Sequence, residues 1–529
     1  MIRSSMVISA FTLISRMMGF VRDLALTYFM GASATIAADA YNAAFSFPNL
    51  FRRIFAEGAF ASAFVPSYAR ALEQDGEIKA DELAADAMAT LAAATLAITV
   101  VAELTMPWLI RYLVAPGFAA SPGKVQLAVA LTMITMPYLP CMAIYAHLSG
   151  VLNARNRFIL SGAAPILLNI WTLVAVLPAK SPVQAAYFAA CGVVVAGVSQ
   201  AGLLWWGVHR SGAHVGIRMP RLTPEIRKLI GLAVPGAIAA SVTQINVFVS
   251  GILVSGMPGA RSWLAVCDRL YGLPQGLVGV AVGVALLPRL SRAVHDGDKP
   301  QARGVLDEAV TFCMAFALPA AAALICMPFF LIDGLYTRGE FHTSDAVQTA
   351  AALQQYGWGV PAFVIAQITS RAFFAQQDTQ TPMRIALLSV AANIVLGITL
   401  FHFFGAAGIA AATSAAWWLN VILMMVMLHR RGVYRPSAAA WSHLARVVAA
   451  SAALGLMLIA ATHYRPLIEA PFRGLRLGPL HAKEIAVVLV SLAALVVYPV
   501  LLLGSGGISL AQIRGALRRR SDPPPEVLP

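Results

Sequence analysis

The chain has 529 residues, 59% of them hydrophobic and 12% charged, with a formal net charge of +14 and a mean hydropathy of +0.74. Soluble domains carry roughly 25% charged residues, so a soluble globular protein is excluded and a polytopic membrane protein is described. The basic surplus does not mark a nucleic-acid binder: with a cytoplasmic N-terminus, most Lys and Arg fall in loops on the cytoplasmic side, the positive-inside pattern.

Apolar runs of about 20 residues predict fourteen membrane helices, over 3–30, 36–66, 84–112, 125–152, 159–178, 184–208, 228–256, 262–288, 305–333, 347–374, 383–404, 407–428, 442–462 and 484–504. Arg3 precedes the first run, which continues through Arg16 and Arg22 without a small-residue cleavage site, so it reads as a helix and not as a secretory signal. The densest basic stretch, 209–228, joins helices six and seven on the cytoplasmic side, near anionic headgroups. The five cysteines, Cys141, Cys191, Cys267, Cys313 and Cys326, lie in apolar segments without C-x-x-C spacing, so neither a metal site nor a disulfide framework is expected. No cofactor is expected either.

Charges inside the predicted spans carry the functional signal. Helix one has Arg16, Arg22 and Asp23 around Gly19, helix two has Asp39, Arg52, Arg53 and Glu57, and helix eight has Asp268 and Arg269. A charge at the bilayer centre costs about 2.5 kcal/mol or more, so these groups must face protein or water. Arg53 and Glu57 stand four apart and can neutralise each other, whereas Arg52 points about 100° away and has no partner in its own turn. With Arg371 included the interior balance is positive, which calls for an anion; the arginine fork matches phosphate or carboxylate oxygens and stays protonated. A diphosphate fits. Structural pairing or snorkelling is the competing role for these arginines, Arg22 and Arg371 among them. Asp39, at the entrance to helix two, serves equally as a helix-start group or as a ligand or gate. Asp23, Asp268, Arg53 and Glu57 complete the ion-pair or gating candidates, and Glu103 has no evident partner. There is no H-E-x-x-H, P-loop or nucleophile elbow, so an enzyme is not expected.

The chain also repeats itself at an offset near 222 residues: FVPSYARALEQDG (64–76) resembles LLPRLSRAVHDGD (286–298), and MPWLIRYLVAPGF (106–118) resembles MPFFLIDGLYTRGEF (327–341). MPYLPCMAIYAHLSGVLNARNRF (136–158) answers VPAFVIAQITSRAFFAQQDTQTP (360–382) in the same order. Because the offset spans six helices, the halves share one orientation, the arrangement of transporters that bind substrate between two lobes. The expected fold is all-α: an N-lobe over 1–208, the basic linker 209–228, a C-lobe over 229–430, two further helices over 431–505 and a cytoplasmic tail over 506–529.

The stretch SRMMGFVRD (15–23), then ADAYNAAFSFPNLFRRIFAEGAFASAFVP, closely resembles the bacterial lipid II flippases of the MurJ (MviN) family. APGF (115–118), LNARNRF (152–158), CDRLYGLPQGLVGVAVGVALLP (267–288) and FFAQQDTQTP (373–382) extend the match along the whole chain. The family sits in the multidrug, oligosaccharidyl-lipid and polysaccharide exporter superfamily. Resemblance implies alternating-access transport of undecaprenyl-diphosphate-linked peptidoglycan precursor from the inner to the outer leaflet of the bacterial inner membrane. It implies a lipid-tail groove on helices thirteen and fourteen; the charge distribution puts both termini in the cytoplasm, and lipid II, membrane lipids and cell-wall synthesis and division proteins are the expected partners. The family's essential cavity arginines fall on Arg16, Arg22, Arg52 and Arg269, and its acidic gating position on Asp39. One departure is that helix seven carries Thr243, Gln244 and Asn246 where some relatives place an acidic sodium ligand. The rival readings are another exporter of the superfamily, an O-antigen-type flippase or a drug or cation antiporter, and a non-transporting cell-wall scaffold. An antiporter for cations calls for excess carboxylate, and a scaffold has no use for buried arginine.

Overall fold

The computed structural model describes residues 2–56, 59–281, 290, 293, 299–473 and 481–506; side chains are described outside 2–10, 51–62, 234–243, 245, 277–281 and 299. Among the described residues there are helices and no strands, as a bilayer requires of a chain that satisfies its own backbone. The predicted spans fall mostly on helix in their described parts, with short breaks such as 136–137, 164, 327 and 358, and among the described residues eight helices are long and apolar enough to cross a membrane. This is an all-α polytopic membrane fold.

The departures from the predicted spans have local causes. After α1 (Ile2–Met30), predicted helix two is described as α2 (Ala37–Ala56) and α3 (Ala59–Gln74), with residues 57 and 58 outside the described residues. α4 (Glu77–Trp108) contains Pro107 and continues as a wider π turn over Leu109–Val114, then as a 3-10 turn over Pro116–Ala120; the missing proline N–H loosens the ladder there. Helices α5 (Lys124–Thr135), α6 (Tyr138–Ala154), α7 (Phe158–Ala163), α8 (Pro165–Val176), α9 (Pro182–Arg210), α10 (Pro224–Leu253) and α11 (Ala260–Ala281) follow.

Contacts divide the chain into two compact units, Met1–Val266 with Tyr336–Asp345, and Cys267–Leu335 with Ala346–Pro529. In the first unit, α9 packs on α6 and α8, α1 on α8, and α2 on α5. The α2 contact is made by small side chains, Ala37, Ala40, Ala43 and Ala44, all fully buried, which lets the backbones approach closely. A second apolar cluster around Phe64, Leu148 and Val208 takes in Ala213, Val215 and Ile226, so the basic linker is anchored at both of its ends. Asp81 secures it: its carboxylate accepts from Tyr68 Oη at 3.1 Å, from Arg155 Nη2 at 3.2 Å and from the His214 N–H at 2.6 Å.

In the second unit, α12 (Lys299–Cys326) and α13 (Pro328–Tyr336) precede α14 (Thr343–Gly357), α15 (Gly359–Ala375) and α16 (Gln380–Arg430). α17 (Ala438–His463) packs on α12 and on α19 (Ala482–Gly504). Between them α18 (Arg465–Glu469) carries Arg465, which pairs with Asp333 and Glu469 and lies 5.0 Å from the Phe330 ring centroid. At the other end Asp307 accepts from Tyr434 Oη at 2.7 Å. Asp378 accepts from the Thr381 hydroxyl and amide and from Arg431, and these donors, Thr381 first, hold its carboxyl below the usual carboxylate range. α16 contains predicted helices eleven and twelve, separated by Gly405 at φ 57°, ψ −135°.

That backbone conformation belongs to glycine. Gly405→Ala is expected to cost about 1–3 kcal/mol and to lower the midpoint of thermal unfolding in detergent; an unchanged midpoint would mean the turn relaxes around a Cβ.

Candidate functional site

The first turn of α11 carries Arg261, Ser262 and Trp263 in succession. They stand about 100° apart around the helix, so each must meet a different neighbour. Ser262 donates through its N–H at 3.1 Å and its Oγ at 2.9 Å to one oxygen of Asp39, while Gly259 N–H donates to the other at 2.7 Å. A carboxylate from α2 thus caps the N-terminus of α11, the place where orphan N–H groups and the helix dipole favour an anion. Trp263 Nε1 donates at 3.0 Å to Asp345, which also accepts from the Ser33 N–H at 3.1 Å and from the His342 N–H at 3.2 Å. Arg261 donates from Nε to the Gly251 carbonyl at 3.0 Å and from Nη2 to the Val114 carbonyl at 2.8 Å.

Lys124, at the start of α5, completes the cluster with its ammonium 2.8 Å from Asp39 and 4.4 Å from the Phe118 ring centroid. The Arg261 guanidinium lies 5.8 Å from the same ring. Asp39 is 1% exposed, Lys124 2%, Asp345 0% and Arg261 8%. Charges so deep are costly unless paired or hydrogen-bonded, and Asp39 and Lys124 pair with each other.

The backbone closes as tightly as the side chains. Gly259 sits at φ +84°, and a Cβ there would meet Ser33 atoms at 2.8 Å. A Cβ on Gly117 would lie 2.2 Å from Gly256 N, and Gly117 N–H donates to Ser255 Oγ at 3.0 Å. Glu340 N–H donates to the Tyr28 carbonyl at 3.0 Å. Segments 31–36, 114–124, 254–263 and 336–345 therefore interlock into a cap, at the end of α1 away from the N-terminus.

The candidate residues named from the sequence are distributed as follows. Asp39 lies at the centre of this cap. Arg22 is buried in α1 and donates from Nε at 3.0 Å and Nη2 at 2.7 Å to one oxygen of the adjoining Asp23, while Arg16 is exposed on the same helix. Arg52 and Arg53 lie in the last turns of α2, and their side chains are outside the described residues, as is Glu57 altogether. Asp268 and Arg269 lie on α11 within the second unit and are exposed. Lys124, Arg261, Ser262, Trp263 and Asp345 were not singled out from the sequence. Lys124 and Arg261 fall one residue before predicted spans and read as ordinary interfacial cations. The repeat held a clue, because its offset carries Asp39 onto Arg261. Among the described residues no His, Cys, Asp and Glu group is arranged to hold a metal ion.

A solved multidrug resistance MATE family transporter of the MOP superfamily, in an inward-facing conformation, shares this fold: TM-score 0.65 at 13% identity, covering 80% of this chain and 97% of that one. The two chains therefore share one all-helical membrane fold. A solved structure described as lipid II flippase MurJ in an inward closed conformation matches with a TM-score of 0.76 at 24% identity over 94% of this chain and 98% of that one. The lipid II flippase MurJ family model matches residues 26–469. A probable lipid II flippase MurJ of Rhizobium meliloti (strain 1021) is 37% identical over 515 residues, 96% of this chain and 94% of that protein. A lipid II flippase MurJ of Burkholderia cenocepacia is 32% identical, with 90% and 92% covered. The chain belongs to the lipid II flippase MurJ family.

Asp39→Asn would leave Lys124 buried opposite a neutral amide. Breaking a buried pair in this way costs about 3–5 kcal/mol, to be read as a fall in thermal stability in detergent. Combining it with Lys124→Met is expected to recover part of the loss, since residues in contact couple by about 0.5–3 kcal/mol; strict additivity would mean the two groups act independently.

Proposed function

We propose that this chain moves lipid II, the undecaprenyl-diphosphate-linked peptidoglycan precursor, from the inner to the outer leaflet of the bacterial inner membrane by alternating access, and that it is a transporter and not an enzyme. Both termini lie in the cytoplasm, helices one to six and seven to twelve act as the two lobes, and helices thirteen and fourteen bind the lipid tail. In this orientation the cap of segments 31–36, 114–124, 254–263 and 336–345 is the outer seal. The observation that supports the reading best is that seal: a buried carboxylate at the start of α2 closes one end of the helices, while Arg52 lies toward the other end of α2 and Arg16 and Arg22 lie along α1.

Arg16, Arg22 and Arg52 hold the diphosphate, and Arg269 adds a contact from the second lobe. Arg22 holds Asp23 in the described state, so phosphate oxygens compete with a carboxylate for the same fork, and a dianionic headgroup with several acceptors is the ligand able to displace it. On α11, Arg269 follows Ser262 by seven residues, about two turns, so substrate charge at Arg269 is felt by the helix whose first turn Asp39 caps. Membrane potential acts on a mobile cationic cavity with about 2.3 kcal/mol per charge per 100 mV.

The test is exposure of lipid II on the outer leaflet, read by cleavage with an added periplasm-acting toxin in cells depleted of their own flippase. The intact chain is expected to restore cleavage. Arg52→Ala, made at equal level, is expected to lower it roughly tenfold or more, the scale of a lost hydrogen bond to a charged group. No restoration by a correctly inserted intact chain overturns the substrate; full activity of Arg52→Ala removes that residue from the site.

A further inference from the structure

Arg261 occupies the second position of α11, where a cation opposes the positive end of its own helix dipole; cations are favoured at helix C-termini. Its guanidinium is nevertheless buried, and both of its hydrogen bonds go to carbonyls that close other helices. Gly251 lies in the last turn of α10, and Val114 is the last residue of the π turn that continues α4. Carbonyls at these positions lack an intrahelical donor. Among the described residues Arg261 Nη1 has no hydrogen-bond partner, and the Phe118 ring supplies the remaining contact to the cation.

At the repeat offset, Arg261 answers Asp39 with the opposite charge at the opposite kind of helix end. The carboxylate closes an N-terminus, and the guanidinium closes two C-termini.

We propose that Arg261 is a positioning residue for transport: it ties the first turn of α11 to the C-terminal ends of α4 and α10 and so sets how readily the outer seal opens. When the seal parts, Arg261 must give up both carbonyls and the Phe118 ring, so these contacts hold the sealed state. The inference rests on the alternating-access reading above and adds a residue to it.

The test uses the full chain with its five cysteines replaced and Ala40→Cys introduced, a fully buried position next to Asp39, labelled in spheroplasts by a membrane-impermeant maleimide. Arg261→Met is expected to speed labelling at position 40 roughly tenfold or more, as the loss of hydrogen bonds to a charged group implies. A parallel chain with Ala486→Cys, fully buried at the outer end of α19 in the separate cluster around Phe330, should label at an unchanged rate. No acceleration at position 40, or equal acceleration at both positions, overturns the proposal, the second because it signals general loosening. Should the methionine variant fail to accumulate, Arg261→Lys, which keeps the charge but loses the fork, should give a smaller acceleration at position 40 alone; none overturns it. Lipid II exposure is measured on the same cells. The expected labelling in cells where the intact chain exposes no lipid II keeps the seal and overturns the substrate.

Discussion

Everything at the capped end depends on one buried carboxylate with all its acceptor capacity used. Asp39 takes hydrogen bonds from two backbone N–H groups, a serine hydroxyl and an ammonium. In a medium that offers no water, a carboxylate satisfied this fully is stable where it stands and costly to leave half-satisfied. That property makes it suited to a boundary between two states: intact it is rigid, and once one donor withdraws the rest hold less well.

Helix ends are the currency of the whole arrangement. Asp39 meets the N-terminal end of α11, Arg261 meets the C-terminal ends of α10 and of the turn after α4, and Asp345 accepts the His342 N–H beside the start of α14. Membrane helices must terminate somewhere, and each terminus leaves orphan donors or acceptors. Here the charges satisfy those orphans and join the segments at the same time, so the ion pairs that look expensive in a bilayer replace water that the helix ends would otherwise require. Phe118 lets Lys124 and Arg261 approach each other by presenting one ring to both cations.

The fold was legible in the sequence because membrane helices are long, apolar and punctuated by charged loops; even the break at Gly405 fell between predicted spans eleven and twelve. Asp39 was legible as a charge where hydrocarbon was expected. Its role was not, since the partners Lys124 and Ser262 lie 85 and 223 residues away and sequence spacing shows only neighbours within a turn or two. Arg261 escaped for another reason: a cation at the edge of an apolar run is the common pattern at a membrane interface, and only burial separates it from that crowd. Arg53 with Glu57 was read from helical spacing alone, a rule that registers proximity along one helix and is blind to contacts made by folding.

Three side chains that each need a different neighbour share one turn of α11. A single substitution removes one contact and leaves two, but a residue inserted just before them would turn all three by about 100° and detach them together. Across descendants of this chain the stretch from Gly259 to Trp263 is therefore bound in length even more strictly than in any one side chain, and alignment gaps should accumulate elsewhere before they enter it.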